Sequence, residues 1–303
     1  MIQEELLAGF TDYLRYERRY SIHTLDGYTR DVSQYAVYLD LQYGFTHPGQ
    51  ANHHHVRSWV VNLLKAKNES VSIRRKLSSI SHFYKWLRKT GVVDHNPVLK
   101  VQVPRIPVRL PKSIASKSIN QLLDTLDRAE RNFPNLRDQA LIGLLYGAGL
   151  RRSEVIQLKW TDFDDQRRVL RVIGKGRKYR QVPVNEELAN ILRELKKAGD
   201  QHFEAPEHME IIRMDNGKPC YPKYVHTKVV AMLGTVTTAE KKSPHILRHS
   251  MATHLMDEGA ELNAVKGILG HASLAATQVY THASIARIRE VYSKAHPKSG
   301  HHE

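Results

Sequence analysis

Along the first hundred positions apolar residues return at three- and four-residue steps, the period of helices that each bury one face. Leu6, Phe10, Tyr13 and Leu14 make one stripe, and Leu25, Tyr28, Val32, Tyr35 and Leu39 a second. Val56, Trp59, Val60, Leu63 and Leu64 make a third, and Ile73, Leu77, Ile80, Tyr84 and Leu87 a fourth. The pattern predicts a helical domain over 1–96. It stops at Asn96-Pro97, where "NPVLKVQVPRIPVRLPK" holds four prolines, four basic residues and no acid. Proline removes helix donors and stiffens the chain, so 97–112 reads as an extended linker between domains.

A second domain, 113–303, opens near Ser116, an expected N-cap, with helical stripes through Leu122, Leu123 and Leu126 and then Leu141 to Leu145. The period then changes. "VLRVI" (169–173) and "YRQVPV" (179–184) read as strands on either side of "GKGRK", a glycine-rich and basic hairpin turn. Further helices are expected over about 186–198, 222–233, 244–258, 262–269, 273–282 and 285–296. The fold class is therefore mainly α, with a small β-sheet confined to the second domain.

Composition narrows the function. The 303 residues carry a formal charge of +15, which calls for a polyanionic partner, because each Lys or Arg laid on a phosphate backbone releases a bound counterion. Linker residues Lys100, Arg105 and Arg109 and the opening face of the fourth helix, Arg74, Arg75 and Lys76, are the expected phosphate contacts. No apolar run approaches the roughly 20 residues of a membrane span. The opening MIQEELLAGF does not resemble a secretion signal, and the single cysteine, Cys220, excludes an internal disulfide and a multi-thiolate metal site, so a reducing cytoplasm is expected. "HHH" at 53–55 invites a metal, but neighbouring histidines on a helix or strand diverge and no carboxylate flanks them.

Three segments carry candidate chemistry. In "GAGLRRSEV" (147–155) Arg151 and Glu154 stand three apart, so on a helix the carboxylate would hold the guanidinium; Arg152 is the rival arginine. In "HILRHSMATHL" (245–255) Leu247, Met251 and Leu255 form a core stripe, and His245 and Arg248 are presented near a helix start that favours anions. In "LGHASLAATQVYTH" (269–282) Gly270 ends one helix, His271 follows in the turn, and the next helix delivers Tyr280. Each segment alone is ordinary. Together they supply what attack on a phosphodiester needs, namely guanidinium groups for charge on a five-coordinate phosphorus and a proton for the departing oxygen. A phenol has a pKa of about 10, so Tyr280 as a nucleophile needs such helpers. No Walker-type loop and no acidic cluster for magnesium is evident, so neither a nucleotide cofactor nor a metal is expected.

These motifs, with "GKGRKYRQVPV" (174–184), stand in the order and spacing of the tyrosine site-specific recombinases, and the whole chain resembles the bacterial Xer recombinases. The resemblance implies a SAM-like helical core-binding domain and an α+β catalytic domain that together clamp duplex DNA. It implies Tyr280 as the nucleophile of a 3′-phosphotyrosyl bond, Arg151 and Arg248 as the phosphate clamp, and Lys175, with Lys178 as rival, as donor to the leaving 5′-oxygen. His245 would handle the tyrosine proton, His271 would bond a non-bridging oxygen, and Glu154 would support Arg151. His249, His254 and His282 are expected bystanders. The expected assembly is a tetramer on DNA, of this chain alone or with a related recombinase, with a DNA translocase as a further candidate partner. No obvious insert of the integron type stands between Cys220 and His245. Resolution of chromosome or plasmid dimers is the expected role; a mobile-element or integron-type integrase, and a non-catalytic DNA-binding relative, are the alternatives.

Overall fold

The structure, a computed structural model, describes residues 2–102, 113–174, 179–203 and 209–270, and it divides into two compact units, Met1–Leu110 and Pro111–Glu303.

The first unit is built from α1 (Ile2–Asp12), α2 (Ile22–Tyr43), α3 (His53–Lys65) and α4 (Ser70–Lys89), with α1 running on through a π-helical turn at Tyr13–Glu17. The four stripes meet as one core in which Phe10, Leu14, Val32, Tyr35, Trp59, Ile80 and Tyr84 are buried. Leu64 departs from its stripe and is 47% exposed. The histidine run has a structural explanation at the start of α3. Asn52 Oδ1 accepts from the His54 and His55 amides at 2.9 and 3.4 Å, and His55 Nδ1 accepts from the Asn52 amide at 3.1 Å. This reciprocal cap satisfies donors that a helix start leaves open.

The segment expected to be linker begins as part of this unit. Pro97–Lys100 is a short 3-10 helix, capped by Asn96 Oδ1 accepting from the Val98 amide at 3.1 Å, and Pro97, Val98 and Val101 are buried. Asparagine before proline is a helix-start signal, and here it outweighs the reading of proline as a breaker.

In the second unit α5 (Ser116–Asp127) and α6 (Phe133–Ile142) precede a π-helical turn at Gly143–Gly147 and the short α7 (Arg152–Gln157). Ala115, not Ser116, occupies the N-cap position of α5. The sheet runs β1 (Phe163–Asp164), β2 (Val169–Ile173), β3 (Tyr179–Pro183), antiparallel in that order, with Leu170 opposite Val182 and Val172 opposite Arg180. α8 (Glu186–His202), α9 (Pro222–Gly234), α10 (Pro244–Asp257) and α11 (Leu262–Leu269) follow. Their apolar faces close on the sheet and the α6 turn in a core that includes Leu144, Leu150, Val155, Leu170, Leu192, Val229, Leu247 and Met251. The helices expected over 273–282 and 285–296 lie outside the described residues.

Candidate active site

The site grows from the turn that follows the π-helical segment. Gly149 has φ +61°, a backbone conformation that favours glycine, and a Cβ there would stand 2.2 Å from Met251 Cε and displace the end of that side chain. The turn lets the Gly149 carbonyl accept from Arg248 Nη1. Two residues on, Arg151 is extended (φ −72°, ψ 150°) and occupies the N-cap position of α7; it is not a residue of the helix body. Glu154 reaches back from the first turn: Oε2 accepts from the Arg151 amide at 2.7 Å and Oε1 from Arg151 Nη1 at 2.8 Å. The expected pair therefore forms, through a cap instead of a shared helix face.

Two further guanidinium groups join the same carboxylate. Arg180 on β3 spans it, Nη1 to Oε1 at 2.7 Å and Nη2 to Oε2 at 2.9 Å. Arg248 on α10 places Nη1 3.8 Å from Oε2 and donates through Nη2 to the Leu269 carbonyl. Arg151 Nη2 donates to the Gly270 carbonyl at 3.3 Å. Gly270, with φ +61°, ends α11 as expected. Arginines from three distant segments thus meet at one carboxylate and at the C-terminal carbonyls of α11.

The charge balance is one-sided. Glu154, Arg180 and Arg248 are 6%, 7% and 6% exposed, and three positive groups face one negative group. Burial foremost, and then the neighbouring Arg151 charge, push the Arg248 guanidinium down to about 10, with Glu154 opposing; it stays charged at neutral pH. Burial raises the Glu154 carboxyl, but bonds from Arg180 and from the Arg151 amide outweigh this and hold it below the usual carboxylate range. Such a cluster is suited to an incoming anion.

Beside it opens a cavity of about 340 Å³ lined by Arg151, Arg152, Ser153, His226, Ser243, Pro244, His245 and Arg248. Ser243 Oγ caps the α10 start by accepting from the Ile246 amide at 3.3 Å, and His245 is exposed in that first turn. Arg152 also borders the cavity but is exposed and reaches the Pro222 carbonyl at 3.5 Å, so of the two neighbouring arginines only Arg151 is bonded to Glu154. His226, on α9, was unmarked by any motif. Arg180 was also missed, although a charged residue at an inward-facing step of a strand, in phase with Val182, is a readable signal. His254 is a core histidine: its Nδ1 lies 2.9 Å from Tyr146 Oη, and burial lowers its pKa. Lys175, Lys178, His271, Tyr280 and His282 lie outside the described residues.

The expected DNA contacts divide. Arg74 and Lys100 are exposed, whereas Arg105 and Arg109 lie outside the described residues. Lys76 is 7% exposed and turned inward, its Nζ bonded to Gln34 and 3.5 Å from Asp31, so it is not available to a phosphate. Arg75 bonds Asp31 through both Nη atoms while half its side chain stays open. The cause is Asp31 itself, fully buried, whose charge requires these partners and Ser79 Oγ at 2.8 Å.

Comparison with known proteins shows the family. The phage integrase family model matches residues 112–287, and that of the phage integrase N-terminal SAM-like domain matches residues 7–91. A tyrosine recombinase XerC of Chlorobaculum parvum is 35% identical over 315 residues, covering 96% of this chain and 94% of that protein. XerC of Pseudomonas aeruginosa is 34% identical over 295 residues, covering 97% and 95%. In fold, the Tn1549 transposon integrase solved with transposon right end DNA matches with a TM-score of 0.72 at 16% identity, over 99% of this chain and 95% of that one. The XerH site-specific recombinase bound to a palindromic difH substrate matches with a TM-score of 0.69 at 19% identity, over 95% and 83%. The chain belongs to the phage integrase family and is a site-specific tyrosine recombinase of the Xer type.

Proposed function

We propose that this chain cuts and rejoins duplex DNA by attack of the Tyr280 phenolate on a backbone phosphorus. The Tyr Oη–P bond forms as the P–O5′ bond breaks, leaving a 3′-phosphotyrosyl ester and a 5′-hydroxyl. Because one phosphodiester is exchanged for another, rejoining is the same step reversed and consumes no nucleotide. Arg151 and Arg248 hold the non-bridging oxygens and offset the added charge of the five-coordinate state. Glu154 fixes Arg151. His245 takes the phenolic proton, Lys175 protonates the departing 5′-oxygen, and His271 bonds a non-bridging oxygen. The observation that carries this reading is the convergence of Arg151, Arg180 and Arg248 on Glu154 beside an open, cation-lined cavity.

DNA is the partner this charge pattern serves, with Arg74, Arg75, Lys100, Arg105 and Arg109 on phosphates. Strand exchange in pairs calls for a tetramer on two sites, of this chain or with a related recombinase, and a DNA translocase is the candidate activator. Resolution of chromosome or plasmid dimers is the role its Xer-type relatives favour.

The test begins in cells: DNA covalently held by the full chain is recovered and sequenced, with a Tyr280→Phe control. Wild-type adducts concentrated at one sequence, and none from Tyr280→Phe, support the proposal. No Tyr280-dependent adduct would leave the non-catalytic DNA-binding alternative.

A further inference from the structure

Arg180 has no part in the chemistry proposed above, yet both of its Nη atoms are committed to Glu154. Along β3 exposure alternates, with Tyr179 and Gln181 outward and Arg180 and Val182 inward. An inward cation on a strand is costly to bury unless it is paired. The pairing found here is a two-pronged bond to both oxygens of Glu154, at 2.7 and 2.9 Å.

That bond has a directional effect. Glu154 must aim Arg151, whose side chain is 38% exposed at the cavity edge, and a carboxylate gripped at both oxygens cannot rotate. It also has an electrostatic effect. A carboxylate already claimed by Arg180 neutralises Arg151 and Arg248 less, so their charge is directed toward an incoming phosphate. The same side chain abuts the end of α11: a Cβ on Gly270 would stand 2.9 Å from Arg180 Cδ and 3.0 Å from Nε. Arg180 therefore connects the strand that follows the Lys175 hairpin, the carboxylate that orients Arg151, and the turn immediately before His271.

We propose that Arg180 is a positioning residue for the phosphate clamp, holding Glu154, and through it Arg151, in register with the hairpin strand and the Gly270 turn. The inference rests on the recombination chemistry of the preceding subsection. A purely structural ion pair makes a different prediction: removing one partner would lower stability but leave the chemical step intact in the protein that remains folded.

The experiment uses the full chain and a duplex of the sequence recovered from the cellular adduct, nicked beside the cleavage position so that the adduct accumulates. Binding is measured by titration, and the first-order cleavage rate at saturating protein, for Arg180→Met, Arg180→Lys, Glu154→Gln and the double variant Arg180→Met/Glu154→Gln. Arg180→Met is expected to bind within about twofold of wild type and to cleave about 10- to 100-fold more slowly, the scale of a lost charged hydrogen bond. Arg180→Lys should recover part of that rate. The double variant should be no slower than Glu154→Gln alone, because the two residues act as one unit. Wild-type cleavage by Arg180→Met, or losses that multiply in the double variant, would overturn the inference. Should Arg180→Met fail to fold, the lysine variant decides, and an unchanged cleavage rate in it counts against Arg180. A wild-type chain that yields no Tyr280-dependent adduct would instead defeat the recombination reading itself.

Discussion

A methyl group added at Gly149 would fall 2.2 Å from the terminal methyl of Met251, so the Met251 side chain, from the helix that carries Arg248, lies close over the turn that feeds the α7 cap and would have to shift. Gly149 has φ +61° as well, so Gly149→Ala meets steric and conformational penalties together. We expect a loss of about 1–3 kcal/mol in folding stability, read as a lower midpoint in thermal or urea unfolding. An unchanged midpoint would mean that the turn rearranges freely.

Replacing Glu154 with Gln keeps the shape and removes the charge between three guanidinium groups. Stranding buried cations costs about 3–5 kcal/mol, so the variant should be much less stable at pH 7. The pH dependence has a definite sign. The folded-state pKa of Glu154 is lowered, so its stabilising contribution is complete above the ordinary glutamate value of about 4.3 and is lost as pH falls through the lowered value. Urea titrations below that pH should therefore show wild type approaching the variant.

Arg248→Lys should bind DNA but cleave about a hundredfold or more slowly in an adduct assay, the scale of a missing oxyanion donor. The guanidinium donates at once to the Gly149 and Leu269 carbonyls, and an ammonium on a flexible stem cannot bridge both and still face a phosphate. Normal cleavage by this variant would remove Arg248 from the chemistry.

Arg74 and Lys76, two residues apart on α4, should behave oppositely. Arg74→Ala is exposed and is expected to leave the unfolding midpoint unchanged while reducing the salt dependence of DNA binding by about one phosphate contact. Lys76→Met should instead lower stability, because it strips a partner from buried Asp31. Unfolding curves and binding titrations at several salt concentrations distinguish the two.

The contrast between Arg74 and Lys76 also shows where sequence reading succeeds and where it stops. The α4 stripe of Ile73, Leu77, Ile80, Tyr84 and Leu87 was legible because five positions keep one phase over four turns. Lys76 lies three residues from Ile73 and four from Ile80, on the edge of that stripe, but its inward turn depends on Asp31 in another helix, which no local period reveals. α7 has six residues, too few to display a period, so the Arg151–Glu154 pair was foreseeable while the cap that forms it was not. The β2–β3 hairpin was legible from its strands and glycine turn, whereas the two-residue β1 has no signal of its own. Arg180 was within reach, since its alternation with Val182 marks it as inward, but its partner sits 26 positions away and had to be found in space.

The surplus of positive charge around Glu154 has a practical side at the bench. Sulfate and inorganic phosphate are tetrahedral oxyanions like the phosphate group proposed to bind here, so a storage buffer rich in either is expected to compete with substrate for the cluster. Anything bound only to the folded form raises its melting temperature. A preparation kept in phosphate should therefore look sturdier and react more sluggishly than the same protein in chloride of equal ionic strength, and the two readings should move in opposite directions as the buffer is exchanged.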